Sequence, residues 1–119
     1  EFAEPRQGLS TSDNDRFLRL WFETQMDNIT FSCCSHKESA DCDKKWYPYN
    51  KGGSYRKWYG NAAYVINWKN DGKELREWAE WLNKHRTPMG RLVSKEYYFR
   101  EGMSWSALTT GDISFRYTC

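Results

Sequence analysis

The chain has 119 residues, 18 Lys and Arg against 16 Asp and Glu, and a formal net charge of +2. That length carries one modest core and is short for a complete cofactor-dependent transferase. Aromatic residues make up 18% of it, enough ring surface to exclude disorder, and no apolar run reaches a membrane helix.

Taken in chain order, Gly8, Ser10, Ser12, Asp13 and Asn14 favour turns and helix caps. Phe17 to Phe22 is apolar and fits a strand or a short buried helix equally. Residues 32–45 are small and polar and predict a loop or a short surface helix. Lys45 to Tyr49 predicts a strand ended by Pro48 and an Asn50-Lys51-Gly52-Gly53 turn. Tyr55–Tyr59 and Ala63–Trp68 predict two further strands joined by a tight turn at Gly60-Asn61. Asn70-Asp71-Gly72 breaks that pattern, and Asp71 with Glu74 three residues on predicts a capping box. Leu75, Trp78, Ala79 and Leu82 then fall on one helical face, which Pro88 and Gly90 stop. Met103–Leu108 and Ile113–Tyr117 have strand character. The expected class is α+β, a small mixed sheet with one clear amphipathic helix at about 72–86 and short additional helices or turns. One domain over 1–119 is expected, with an acidic segment and polar loop at 1–43, basic-aromatic strands at 44–70, and helix plus C-terminal strands at 71–119.

The small net charge conceals a sharp asymmetry. Residues 1–43 carry nine acids against four bases. Residues 44–70 carry six bases (Lys44, Lys45, Lys51, Arg56, Lys57, Lys69) and no acid. Eight rings share that stretch: Trp46, Tyr47, Tyr49, Tyr55, Trp58, Tyr59, Tyr64 and Trp68. Bases can neutralise phosphates, Gly52-Gly53 lets backbone amides approach them closely, and rings can stack on bases or pack the core. Nucleic-acid binding and plain solubility of a strand edge explain this block equally well on composition alone.

Other chemistries find little support. There is no dinucleotide-binding glycine fingerprint, no phosphate-binding loop and no nucleophile elbow. Glu74, Glu77 and Glu80 sit beside Lys73, Arg76 and Lys84 as a solvated helix face rather than a catalytic carboxylate pair. Cys33, Cys34, His36 and Cys42 lack the two separated knuckles of a structural zinc site, so no metal is expected. His85 suits the helix end, where a cation favours the dipole. The adjacent cysteines and the absence of an export signal outweigh the Asn28-Ile29-Thr30 sequon and favour reduced thiols in the cytoplasm.

Five runs, in this order, carry a family resemblance: QGLSTSDNDRFLRLW (7–21), KKWYPYNKGGSYRKWYGN (44–61), VINWKNDGKELREW (65–78), GRLVSKEYYFREGMSWSAL (90–108) and FRYT (115–118). Together they resemble the adenine-specific DNA methyltransferases of BREX phage-exclusion systems, the PglX family, over nearly the whole chain. In that family a GLxTGxNxxF-like stretch leads from the catalytic domain towards the target-recognition part. Gly8, Leu9, Thr11, Asn14 and Phe17 fit it, and Ser12 stands where glycine is usual. The family's cofactor strand and Asn-Pro-Pro-Tyr motif would lie upstream, and its sequence continues past Cys119.

The resemblance therefore implies a piece of a DNA methyltransferase at the junction into its specificity region. Such a piece is expected to be no enzyme by itself and to take no cofactor, S-adenosylmethionine being expected only for a full-length relative. Its expected partner is double-stranded DNA. Lys44, Lys45, Lys51, Arg56 and Lys57 would position phosphates, and Asn50, Gly52 and Gly53 would turn against the backbone. Trp58 and Tyr59 would pack on sugar or a displaced base, and Arg56 suits a bidentate base-edge contact. The competing expectation is a protein-interaction module that self-associates or docks onto other defence proteins, with no DNA binding of its own and no membrane contact.

Overall fold

The computed structural model describes residues 5–51, 63–85, 92–105 and 115–118. Its elements are α1 (Asn14–Phe17), β1 (Leu18–Leu20), α2 (His36–Asp41), β2 (Trp46–Tyr49), β3 (Tyr64–Asn67), α3 (Lys69–His85), β4 (Gly102–Trp105) and β5 (Phe115–Thr118). Short 3-10 turns stand at Trp21–Glu23, Met26–Asn28 and Lys95–Tyr97. The class is α+β, as the sequence implies. No described helix is long and apolar enough to cross a membrane.

Side chains with local hydrogen-bonding capacity start the first two helices. Thr11, 2% exposed, donates its hydroxyl to Asn14 Oδ1 at 2.6 Å and accepts the Asp13 N–H at 3.2 Å. Asp13 caps α1 by accepting the Arg16 N–H at 3.2 Å, which delivers Phe17 into the core with no exposed surface. Ser35 caps α2 through the Glu38 N–H at 3.2 Å, and the Glu38 carboxylate returns to the Cys34 N–H at 2.9 Å. Ser12 adopts φ 58, the left-handed region, at the position where the resembled family carries glycine. Glycine enters that region without the clash its Cβ causes. Ser12→Gly is accordingly expected to raise unfolding stability by about 0.5–1 kcal/mol, part of the gain being lost to greater freedom of the unfolded chain. Urea titration of the two chains measures the difference.

β3 is the central strand, with β1 and β2 antiparallel on either side. The register sets Leu18, Ile66 and Tyr47 abreast, and Leu20, Tyr64 and Tyr49 abreast. These two rows share one face because side chains alternate along a strand. Pro48 does not end its strand as expected. β2 runs through it to Tyr49, with Pro48 opposite Val65. An edge strand tolerates the missing N–H where that group would point away from the ladder. Every described strand pair is antiparallel, and one isolated parallel bridge joins Ile29 to Trp46, with the Thr30 N–H donating to Trp46 O at 3.0 Å. β4 and β5 form a separate antiparallel pair.

The core gathers Phe17, Leu18, Tyr47, Ile66, Trp68 and Leu75. The predicted face of α3 is real: Leu75, Ala79 and Leu82 are buried and Trp78 is half-buried. The predicted capping box is not. Asn70, Asp71 and Gly72 are all left-handed, at φ 55, 55 and 74, so the right-handed helix runs from Lys73. That turn sends the Asp71 carboxylate inward rather than onto the helix N–H groups. Its Oδ1 accepts the Ser39 hydroxyl at 2.7 Å and the Trp68 indole N–H at 3.2 Å, and meets His36 Nδ1 at 3.0 Å. Arg76 reaches its other oxygen at 2.7 Å. Glu74 meanwhile turns to the Asn67 amide at 2.9 Å and to Arg16 at 3.4 Å.

Candidate nucleic-acid interface

The described part of the basic-aromatic block lies along and beyond edge strand β2. Lys44, just before it, donates to the Asp27 carbonyl. Lys45 is exposed, its ammonium 5.2 Å from the centre of the Trp46 ring. Lys51, past the other end, holds its ammonium 4.4 Å over Tyr64. Among the described residues none of these lysines pairs with a carboxylate; the ion pairs are Arg16–Glu74, His36–Asp71 and Arg76–Asp71. A ring under an ammonium positions it but leaves its charge unneutralised. The sequence's other site residues, Gly52, Gly53, Arg56, Lys57, Trp58 and Tyr59, lie outside the described residues, as do the Tyr55–Tyr59 strand and the Gly60-Asn61 turn.

Beside this edge opens a cleft of about 770 Å³ between β2 and β4. Its walls are residues 6–10, 47–50 and 102–105, with Thr30, Phe31 and Cys33 at one side. Tyr98 and Phe99 help to line it, against Trp68 at ring-centre distances of 5.8 and 6.2 Å. Phe99 holds φ 64, a left-handed backbone rare for a bulky side chain, and its ring packs on Tyr47, Trp68 and His36. Asn50 is the one sequence-predicted site residue in the described lining.

Phenols tie the walls together. Tyr49 donates to the Leu9 carbonyl at 2.9 Å, Tyr98 to the Val93 carbonyl at 2.9 Å, and Tyr47 to the Ser39 carbonyl at 3.4 Å. Burial raises the pKa of all three, that of Tyr98 to about 12, so they stay protonated donors at neutral pH. Ser104 buries a hydroxyl that no described group satisfies.

Among the described lining residues the charged ones are Arg6 and Arg100. Both guanidiniums lie over the Tyr97 ring, 5.3 and 5.4 Å from its centre. Sequence reasoning did not place Arg6, Phe31, Tyr97, Arg100 or Trp105 in a site. The signal that could have found part of this set was Tyr97-Tyr98-Phe99-Arg100, which pairs rings with a cation as the 44–61 block does.

The remaining chemistry-bearing groups serve structure. Among the described residues no three of His, Cys, Asp and Glu converge on a metal position. His36 has both ring nitrogens committed, one to Asp71 and the other to the Lys95 carbonyl at 2.8 Å. Burial pushes the Cys33 thiol up, with the Glu38 charge adding to it, and the thiol donates to the Ser35 carbonyl. His85 Nδ1 sits 2.9 Å from the Trp81 carbonyl four residues back, the position of a C-terminal cap.

No protein-family model matches the chain. It is 42% identical over 117 residues to the adenine-specific methyltransferase PglX of Lacticaseibacillus casei strain Zhang. It is 39% identical over 112 residues to the adenine-specific methyltransferase BrxX of Escherichia coli O9:H4 strain HS. These matches take in 95% and 93% of the chain but only 9% and 8% of the relatives' lengths. Identity at this level over nearly the whole chain agrees with the motif resemblance, and the chain is homologous to a short segment of the BREX adenine-specific methyltransferases PglX and BrxX.

Proposed function

We propose that the chain is a DNA-recognition segment of a BREX-type adenine-specific methyltransferase, contacting duplex DNA in the cytoplasm without carrying the methyl-transfer chemistry. The observation that supports it is the strand edge: Lys45 and Lys51 flank β2, held over rings and paired with no described carboxylate. Their charge is thus available to phosphates, the term that dominates DNA affinity. S-adenosylmethionine belongs to other parts of the relatives on this reading.

Fluorescence anisotropy with a labelled duplex of random sequence, at low and moderate salt, tests the reading. Lys45→Ala/Lys51→Ala is expected to weaken low-salt binding by about tenfold and to lower the salt slope by about two. The Lys51→Ala/Arg56→Ala/Lys57→Ala variant is expected to weaken it further, each fold being checked by circular dichroism. Absence of salt-sensitive binding by the unsubstituted chain would defeat the reading.

A second reading, a protein-docking module, is favoured by Trp21, Phe22 and Met26, which are 44%, 63% and 55% exposed within six consecutive residues. A hydrophobic cluster of this kind drives association that salt barely affects. Concentration-dependent dimers in sedimentation, dissolved by Phe22→Ser, would support it.

A further inference from the structure

We propose that the cleft between β2 and β4 receives the Trp21–Phe22–Met26 projection of a second copy of this chain, each copy giving its projection to the other. The inference rests on the docking reading and adds what that reading leaves open, the surface that receives those side chains.

The projection is held firmly by its own backbone. Its two 3-10 turns close on themselves, Thr24 N–H to Trp21 O at 3.3 Å and Ile29 N–H to Met26 O at 3.1 Å. The Trp21 N–H is fixed to the Ala63 carbonyl at 2.9 Å, and the Glu23 carboxylate accepts the Leu20 N–H at 3.0 Å. Trp21 and Phe22 meet edge to face, ring centres 5.6 Å apart, while both stay open to solvent. Exposed rings on a satisfied backbone are preformed for docking, so association need not order a loop first.

The cleft has the matching character. Phe31, Met103 and Trp105 line it while remaining 65%, 53% and 47% exposed. Its volume, about 770 Å³, lies in the range that encloses a small organic ligand, which is the bulk of two adjoining aromatic side chains. Charge agrees as well. Asp27 is exposed on the projection and Arg100 is exposed in the cleft lining. Among the described residues neither is in an ion pair, so each can meet the other across the contact.

Placement and area favour a second copy as the occupant. Met26 precedes Phe31 by five residues, which holds the projection within about 17 Å of the cleft wall. A two-fold axis can therefore seat both projections in both clefts at once. Trp21, Phe22, Met26, Phe31, Met103 and Trp105 are all about half exposed. If each covers roughly 100 Å², two copies bury roughly 1,200 Å² together, the lower end of stable association. A one-way fit would cover half of that and leave a projection and a cleft open to further copies.

The test is sedimentation of the 119-residue chain across micromolar concentrations, in reducing buffer that keeps the exposed Cys34 thiol from linking copies. A reversible dimer is expected. Phe22→Ser and Trp105→Ser, both at exposed rings, are each expected to weaken it about hundredfold, since the two-fold axis counts every substitution twice. Mixed together, these two variants are expected to prefer each other to themselves by about tenfold. A mixed dimer keeps one unaltered contact and places both losses in the other. Asp27→Arg and Arg100→Glu are each expected to weaken the dimer about tenfold, and the chain carrying both to recover it. Circular dichroism checks every fold.

Dimers that Phe22→Ser dissolves but Trp105→Ser leaves intact, or variants with no preference for each other, would overturn the cleft as receiver while the docking reading stands. Assemblies that grow beyond the dimer would overturn the reciprocal exchange. A chain that stays monomeric at every concentration would remove the docking reading itself, and this inference with it.

Discussion

Asp71→Ala is expected to destabilise the fold by about 3 kcal/mol, and the larger share comes from neutral donors rather than from the ion pairs. Arg76 and His36, 38% and 36% exposed, are salt bridges of a kind whose charge water can replace, each worth little alone. Ser39 has no exposed surface, so its O–H cannot turn to water once its acceptor is gone, whereas the Trp68 N–H keeps the Ser39 hydroxyl oxygen at 3.0 Å. Arg76→Gln, which removes the ion pair and the guanidinium lying 6.0 Å from the centre of the Trp68 ring, should therefore cost only about 1 kcal/mol.

The same carboxylate gives the protein an acid dependence whose sign follows from its surroundings. Burial opposes ionisation of Asp71, but the Ser39 hydroxyl, His36 and the Arg76 charge outweigh it and hold the carboxyl below its ordinary 3.8. A depressed folded-state pKa adds stability that is complete above the unfolded value and is lost as pH falls through the folded one. The stability gap between the unsubstituted chain and Asp71→Asn is therefore expected to be constant near neutrality and to narrow below about pH 4. Urea titrations across that range measure it; a gap that widened on acidification would contradict the assignment.

Gly72→Ala carries an effect of similar size from a different cause. The backbone there has φ +74, and an added Cβ would stand 2.7 Å from two carbons of the Trp68 ring. The left-handed conformation costs an L-residue about 1–2 kcal/mol, and forcing a methyl into a packed core about 1–3 more. The ring cannot step aside, since it is 3% exposed and wedged by Tyr98 and Phe99. A loss of about 3 kcal/mol, or on the order of 10 °C in melting temperature, is the expected outcome. Gly8→Ala, with nothing within 4 Å of its added Cβ, should leave the melting temperature unchanged.

Features confined to one chain segment were legible in the sequence. The spacing of Leu75, Ala79 and Leu82 marks a buried helical face because a helix repeats locally, and that face is found buried. The strands at β2 and β3 were legible for the same reason, and the five motif runs pointed to the correct relatives. Pro48 misled because its effect depends on whether a strand is central or at an edge, which its neighbours in sequence do not state. Asp71 misled because its partners come from elsewhere: His36 and Ser39 lie 35 and 32 residues away. The cleft is harder still. Arg6 sits in a stretch whose composition is acidic, and only the fold carries it to Arg100 across one tyrosine. The run Tyr97-Tyr98-Phe99 is visibly aromatic, but nothing local says that Tyr98 and Phe99 face the core while Tyr97 presents cations to the cleft.

The left-handed turn at Asn70-Asp71-Gly72 also bears on how the protein ages. In an Asp-Gly pair the glycine nitrogen can attack the preceding side-chain carboxyl, closing a succinimide that reopens largely as isoaspartate. Here the Gly72 N–H is bonded to the Trp68 carbonyl at 3.1 Å, and the Asp71 oxygens are taken by Ser39, Trp68, His36 and Arg76. The nucleophile is occupied and the electrophile is pinned, so the folded chain resists this damage at the very dipeptide where an unfolded one is most exposed to it. Isoaspartate at residue 71 would thus act as a chemical clock for time spent unfolded.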